Sequence, residues 1–275
     1  MTPELMDFFR GEGCFEIPEY KEHEAIFVMR QLAICAKCQG LSSCRVRGMP
    51  QTFIINDDKS QAFLVVGPCK NRKTADNQRA IQQLFVDATI PPDLQNCGID
   101  NYNTQGLGGS IIRAKQEAEK AIESGGSIVF AGSAGLGKTH LSVAIARAAL
   151  NRGNSVLFIS AIGYLQSLRT TFEKKEGDRY ARMLDKIKTV DCLVIDDFGA
   201  EKPSSWTIER LYDAINTRTE QQAQTVITTN YVRAMDLLER LKEDPIGAER
   251  IASRLISWGW IIMEGKDYRT LKHKK

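Results

Sequence analysis

Apolar residues recur in two rhythms along this chain of 275 residues. From residue 111 onward, short aliphatic runs are separated by longer stretches of helical period. The runs at 127–132 (SIVFAG), 155–161 (SVLFISA), 191–197 (DCLVIDD), 224–230 (QTVITTN) and 260–264 (WIIME) are short, apolar and β-branched, as strands buried on both faces are. Between them the spacing predicts helices at 111–124, 138–151, 162–172, 178–188, 204–220, 233–241 and 247–257. Such alternation predicts an α/β domain with a five-stranded parallel sheet covered on both faces. Upstream the pattern changes. Residues 74–90 have helical period and run into Pro91 and Pro92, which stop a helix, and 91–109 reads as a connecting loop. Residues 52–56 (TFIIN) and 61–66 (QAFLVV) flank Asp57-Asp58-Lys59-Ser60, a natural hairpin loop in a small α+β unit. The expected organisation is therefore 1–73, a small first domain; 74–109, a helical linker; and 110–275, the main domain.

Composition narrows the function classes. The chain is 43% hydrophobic and 26% charged with a net charge of +3, so it is not coated in base, and any nucleic-acid contact must come from local patches. No apolar run approaches the roughly 18–20 residues that span a bilayer. The N-terminal MTPELMDFFRGEG has no basic leader followed by an apolar stretch. A soluble, cytoplasmic protein with no membrane partner is expected.

The chemistry is densest at Gly132-Ser133-Ala134-Gly135-Leu136-Gly137-Lys138-Thr139, followed by His140, between a predicted strand and a predicted helix. This fits the phosphate-cradling G-x-x-x-x-G-K-[ST] pattern. Glycines let the backbone wrap close to phosphates, and successive N–H groups point inward with a helix N-terminus behind them. Lys138 is expected to reach the β- and γ-phosphates of ATP, and the Thr139 hydroxyl to ligate Mg2+. Leu193-Val-Ile-Asp196-Asp197 puts two carboxylates at the C-terminal edge of the sheet, where ligands bind in such folds. Asp196 is expected to hold the Mg2+, and Asp197 to polarise the attacking water. Asn230 ends the fourth strand, where an amide can orient water without adding charge. ATP binding and hydrolysis to ADP are the predicted activity.

The seven cysteines carry a second chemistry. Cys14, Cys35, Cys38, Cys44 and Cys69 cluster early, while Cys97 and Cys192 are isolated, an odd total that argues for metal binding over disulfides. Cys35-x2-Cys38 has the spacing that presents two sulfurs to one zinc, with Cys44 six residues further on. The hairpin returns the chain to its start, which makes Cys69 the best fourth ligand, with Cys14 or His23 as substitutes. The alternative is that these cysteines are small buried hydrophobes.

Taken in order, several pieces resemble the AAA+ ATPases of the DnaC/DnaI bacterial helicase-loader family and the related IstB-type transposition ATPases. They are Ile90-Pro-Pro-Asp-Leu-Gln-Asn-Cys-Gly-Ile-Asp-Asn-Tyr102, the phosphate loop, LVIDDFGAE, TTN, Gly247-Ala-Glu-Arg-Ile-Ala-Ser-Arg254-Leu and Asp267-Tyr-Arg269. The resemblance implies an AAA+ core in which Arg254 is a finger reaching a neighbouring subunit's ATP. Arg269 is the position that reads the γ-phosphate in cis. Arg250, one turn before Arg254, shares its helix face. A finger in trans implies self-association. The resemblance also implies a grip on single-stranded DNA by Phe172, Ser204 and Trp206, although Phe172 equally suits a core position. Residues 1–73 resemble the zinc-containing, helicase-binding domain of the DnaI-type loaders, which DnaC-type and IstB proteins lack. The implied function is an ATP-dependent loader that places a replicative DNA helicase (a DnaB-type hexamer) on single-stranded DNA. The alternative is an IstB-like helper that binds duplex DNA and activates a transposase.

Overall fold

The computed structural model describes residues 44, 51–55, 62–66, 69–104, 107–173 and 177–268. Two compact units divide the chain, Met1–Ala80 and Ile81–Lys275. In the first, β1 (Gln51–Ile55) and β2 (Ala62–Val66) pair antiparallel, with Gln51 opposite Val66. The expected hairpin is thus present, its first strand one residue earlier than the apolar pattern suggests. Cys35 and Cys38, like Cys14 and His23, lie outside the described residues. Cys44 and Cys69 are both half-buried.

Helix α1 (Lys70–Asp87) starts four residues before its predicted beginning and stops three short of the prolines. Both shifts have local causes. The Cys69 sulfur accepts the Arg72 N–H at 3.4 Å and so caps the helix start, a job usually given to an oxygen. At the far end, the Ala88 carbonyl accepts from Phe158 N at 2.8 Å, and the Thr89 hydroxyl donates to the Phe158 carbonyl at 2.6 Å. Bonding to a strand edge takes backbone groups that a longer helix would need.

The second unit holds α2 (Gly109–Ser124), β3 (Ile128–Gly132), α3 (Lys138–Asn151), β4 (Val156–Ser160), α4 (Ala161–Glu173) and α5 (Gly177–Thr189). It continues with β5 (Cys192–Phe198), α6 (Ser205–Glu220), β6 (Gln224–Thr229), α7 (Ala234–Arg240), α8 (Pro245–Ser257) and β7 (Trp260–Met263). The sheet order is β4-β5-β6-β3-β7, and every neighbouring pair is parallel. The predicted α/β class and five-stranded parallel sheet are therefore observed.

Alternation along each strand sorts the core into two layers. Ile128, Phe130, Val156, Phe158, Cys192, Val194 and Val226 pack with α2 and α3. Val129, Leu157, Leu193, Ile195 and Ile227 pack with α4 to α8. Both faces are covered, which is why the strands read as continuous apolar runs. Every strand then ends on the same edge of the sheet, where loops are free to carry chemistry. Among the described residues no helix is long and apolar enough to cross a membrane.

Among the described residues, one charged side chain is fully inside. Arg218, on α6, has no exposed surface and burial pulls its pKa down to about 10, still protonated at neutral pH. Its guanidinium donates to the Thr225 hydroxyl and to the carbonyls of Ile187, Val190, Asp191 and Gln224, at 2.6–3.3 Å. Ile187 lies in the last turn of α5, so the arginine satisfies a carbonyl that its own helix leaves bare. Replacement by leucine strands all five acceptors in the interior. Arg218→Leu should lower stability by about 3–5 kcal/mol, read as a fall in the urea midpoint with little change in slope.

Candidate functional site: a nucleotide pocket at the sheet edge

Strand β3 ends at Gly132, and α3 starts at Lys138 behind Gly137, whose φ of 83° lies in the left-handed region. Glycine is required at Gly137 for a second reason. A Cβ there would sit 2.6 Å from the Tyr102 ring. Gly135, with φ 75°, is similarly enclosed, since a Cβ would fall 1.8 Å from Asp267 Oδ1. The Tyr268 N–H donates to the Gly135 carbonyl at 3.0 Å. The segment after β7 thus folds over the loop, bringing Asp267 and Tyr268 to the site. Arg269, the next residue, lies outside the described residues.

Lys138 is only 6% exposed. Its ammonium donates to the carbonyls of Gly132 and Ser133, both at 2.7 Å, and to Asn230 Oδ1 at 2.9 Å. Three neutral acceptors thus hold the ammonium at the mouth of the loop. Thr139 Oγ1 donates to Asp196, 3.0 Å from Oδ1. On the opposite side the Thr228 hydroxyl donates to the same oxygen at 2.6 Å. Burial pushes the Asp196 carboxyl up from its ordinary range. The neighbouring Asp197 adds to that shift, while the two hydroxyls and the Lys138 charge oppose it. No lysine or arginine forms an ion pair with Asp196 among the described residues. Such a carboxylate suits a divalent cation.

Asp197 is placed differently from its neighbour. Its φ of 55° is left-handed, and the ladder to β6 shifts register between Ile195 and Phe198. Its N–H donates to Thr228 Oγ1 at 2.9 Å, and its carbonyl accepts from Ala200 N at 3.1 Å. A bulge of this kind re-aims a side chain, here an exposed carboxylate that lines the pocket with Asn230. Thr228 thus organises both acids. Sequence reasoning named Asn230 in Thr228-Thr229-Asn230 and passed over the hydroxyl two positions before it.

The pocket itself encloses about 490 Å³ beside the loop and continues along residues 94–111. Tyr102 closes one wall. Its hydroxyl donates to the Leu136 carbonyl at 2.9 Å, and burial raises its pKa to about 12, so it remains a donor. His140 meets the Tyr102 ring edge-on, with centroids 5.2 Å apart. The His140 Nε2 lies 2.9 Å from the Gly98 carbonyl, which can only accept, so this nitrogen carries a proton. Arg147 Nη1 donates to the Cys97 carbonyl at 3.1 Å. The stretch read from sequence as a connecting loop is therefore stitched to α3 and forms a wall. The signal was the apolar Leu94, Tyr102 and Leu107 within it.

A glycine-rich loop before a helix, a buried lysine and an Asp–Thr pair meet at one pocket, and comparison with known proteins bears on what it takes. Residues 61–275 match the family model described as IstB-like ATP binding protein. The chain belongs to that family. It is also similar to the replicative helicase loader DnaC of Escherichia coli (strain K12), 28% identical over 192 residues, covering 69% of this chain and 76% of that one. DnaC of Buchnera aphidicola subsp. Baizongia pistaciae (strain Bp) is 26% identical over 196 residues, covering 70% and 77%. Among solved structures, the DnaC helicase loader superposes with a TM-score of 0.53 at 24% identity, covering 63% of this chain and all of that one. DnaI superposes with a TM-score of 0.54 at 24% identity, covering 65% and 94%. These likenesses place the second unit in the AAA+ fold.

Arg250, Arg254, Ser204 and Trp206 do not line this pocket. Arg254 on α8 turns toward α6, where it meets Tyr212 and Asn216. Arg250 sits over the same Tyr212 ring at 5.9 Å. Ser204 is the N-cap of α6, its hydroxyl accepting from Thr207 N at 3.2 Å. Trp206 is half-buried, with the Arg169 guanidinium 5.2 Å from its ring centre. Arg169 is on α4, and so is Phe172, whose side chain lies outside the described set. Helices α4 and α6 therefore bring one exposed arginine and one aromatic face together.

The Asp196 environment generates a prediction about the protein without nucleotide. A carboxyl whose folded pKa is raised contributes stability below its unfolded pKa, and that contribution is lost as pH rises through the folded value. At neutral pH the ionised group is therefore a liability. Asp196→Asn should raise the melting temperature at pH 7, by about 2–4 °C for each kcal/mol released. The gain should shrink as pH falls through the folded value and vanish below the ordinary carboxyl value of 3.8, where the aspartate is protonated in both states. An unchanged or lower melting temperature at pH 7 would contradict the burial argument.

Proposed function

We propose that this protein hydrolyses ATP and uses the cycle to place a hexameric replicative helicase on single-stranded DNA. The observation that carries the first half is the set formed by Lys138, Thr139, Asp196 and Asn230 around one loop. The second half rests on the similarity to proteins described as replicative helicase loaders, over about three quarters of their length.

In this reading Lys138 exchanges its carbonyl partners for the β- and γ-phosphates, guided by the loop N–H groups and the start of α3. Thr139 Oγ1 and Asp196 are the groups that would hold a magnesium ion bound with ATP, which would supply charge neutralisation of the phosphates. Asp197 accepts a proton from the attacking water, and Asn230 orients that water once Lys138 releases its amide. Arg269 reads the γ-phosphate in the same chain. Arg254 belongs to the next copy's site, so hydrolysis is a property of an assembly. Phe172, Ser204 and Trp206 contact single-stranded DNA, with the Trp206 face the best stacking platform. Ser204 does so only by sharing the hydroxyl that caps α6. Cys35, Cys38, Cys44 and Cys69 hold a zinc that keeps the first unit folded for helicase docking. The second reading is a transposition helper acting on duplex DNA, and the family description, IstB-like ATP binding protein, is compatible with either.

Three measurements test this. Lys138→Ala should weaken ATP binding by at least about tenfold, since it removes a charge-assisted contact. Unchanged affinity in a titration removes the phosphate loop from the account. Arg254→Ala should bind ATP normally yet lose about 10³-fold or more in turnover. Mixing it with Lys138→Ala protein should restore part of that turnover, because one copy supplies the arginine and the other the ATP. For the partner, the full chain should carry one zinc by mass spectrometry and capture a DnaB-type hexamer. Zinc without capture, together with preference for duplex DNA, would favour the transposition reading.

A further inference from the structure

Arg254 is held in an unusual way for a surface cation. Its Nη1 donates to the Arg250 carbonyl at 3.0 Å, and its Nη2 donates to the Tyr212 hydroxyl at 3.3 Å and to Asn216 Oδ1. The guanidinium carbon lies 4.9 Å from the centre of the Tyr212 ring. Every one of these partners is neutral. No carboxylate pairs with Arg254 among the described residues, although Glu220 lies one turn beyond Asn216 on the same helix. Asn216 stands between the two charges. Its Nδ2 donates to Glu220 Oε1 at 2.8 Å, which turns its carbonyl oxygen toward the arginine.

An arginine that acts on a neighbouring molecule's phosphate must be both oriented and uncompensated. A salt bridge orients but cancels the charge, and breaking it costs what phosphate binding gains. A phenol, an amide oxygen, a backbone carbonyl and an aromatic face orient without cancelling. We infer that Tyr212 and Asn216 are positioning residues that hold Arg254 pre-aimed and fully charged for the second copy's nucleotide. The inference rests on the reading of Arg254 as a finger in trans, and adds how this chain supports it. Tyr212 supplies the face and one acceptor, while Asn216 supplies the second acceptor and screens Glu220. Both sit on α6, whose first turn carries Trp206, so the arginine's support and the proposed DNA contact share one rigid element.

The decisive substitution is Asn216→Asp in the full chain. It is nearly isosteric and strengthens the hold on Arg254, and the exposed Glu220 is free to swing away. A merely structural role predicts unchanged turnover and an unchanged or higher melting temperature. The positioning role predicts unchanged ATP affinity but turnover down by about 10–100-fold, because the guanidinium arrives neutralised. Tyr212→Leu should likewise reduce kcat with KM for ATP unchanged, and Tyr212→Phe should reduce it less, since the ring remains. Arg254→Ala runs alongside to separate two failures. If Arg254→Ala keeps full turnover, the finger reading falls. If Arg254→Ala loses turnover while Asn216→Asp and Tyr212→Leu keep theirs, only the positioning role is overturned.

Discussion

A carboxylate taken largely out of water costs free energy unless donors or a cation meet it, and Asp196 is the point where this protein meets that cost. Two hydroxyls approach its Oδ1, Thr139 from the start of α3 and Thr228 from β6. The first ties the phosphate loop to the acidic strand. The second also receives the Asp197 N–H, which fixes the bulge that turns the next carboxylate outward. Lys138, held by the loop carbonyls and by Asn230, brings the loop and the end of β6 together. Three strand ends and one helix start are thus locked by a few polar atoms, and the sheet order β4-β5-β6-β3-β7 places those ends side by side. The raised pKa of Asp196 marks that unmet demand, which, in the proposed function, a divalent cation bound with ATP would relieve.

Helix α6 joins distant tasks. Its first turn is capped by Ser204 and presents Trp206 beneath Arg169. Two turns on, Tyr212 and Asn216 receive Arg254, and near the end Arg218 binds the carbonyls at the base of β5 and β6. Five hydrogen bonds from Arg218 thus tie the far end of this helix to the base of the sheet. In the proposed function, the Trp206 contact with DNA and the support of Arg254 would therefore lie on one helix.

Much of this was legible in the sequence, for definable reasons. Strands buried on both faces give unbroken apolar runs, so all five strands of the second unit lie within about two residues of their expected ends. Gly132–Thr139 and Asp196-Asp197 were legible because phosphate chemistry leaves little freedom in residue type. Tyr102 and Thr228 were not, since their roles depend on which backbone atom comes to lie opposite. The early start of α1 was missed because a cysteine sulfur caps it. Arg218 was hidden for a different reason. In sequence it is one more basic residue in the last turn of a helix, and only the fold shows that its five donors all find acceptors indoors. The support of Arg254 was equally invisible, since Tyr212 and Asn216 are some forty residues away.

The central claim is that ATP-bound copies of this chain deliver a helicase ring to single-stranded DNA. The most direct measurement places a replicative helicase hexamer, coated circular single-stranded DNA and the full chain together, then counts helicase retained on the circle after gel filtration. The account predicts that retention requires the chain and ATP, and is lost with Lys138→Ala protein. Equal retention without the chain, or equal retention without nucleotide, would contradict it.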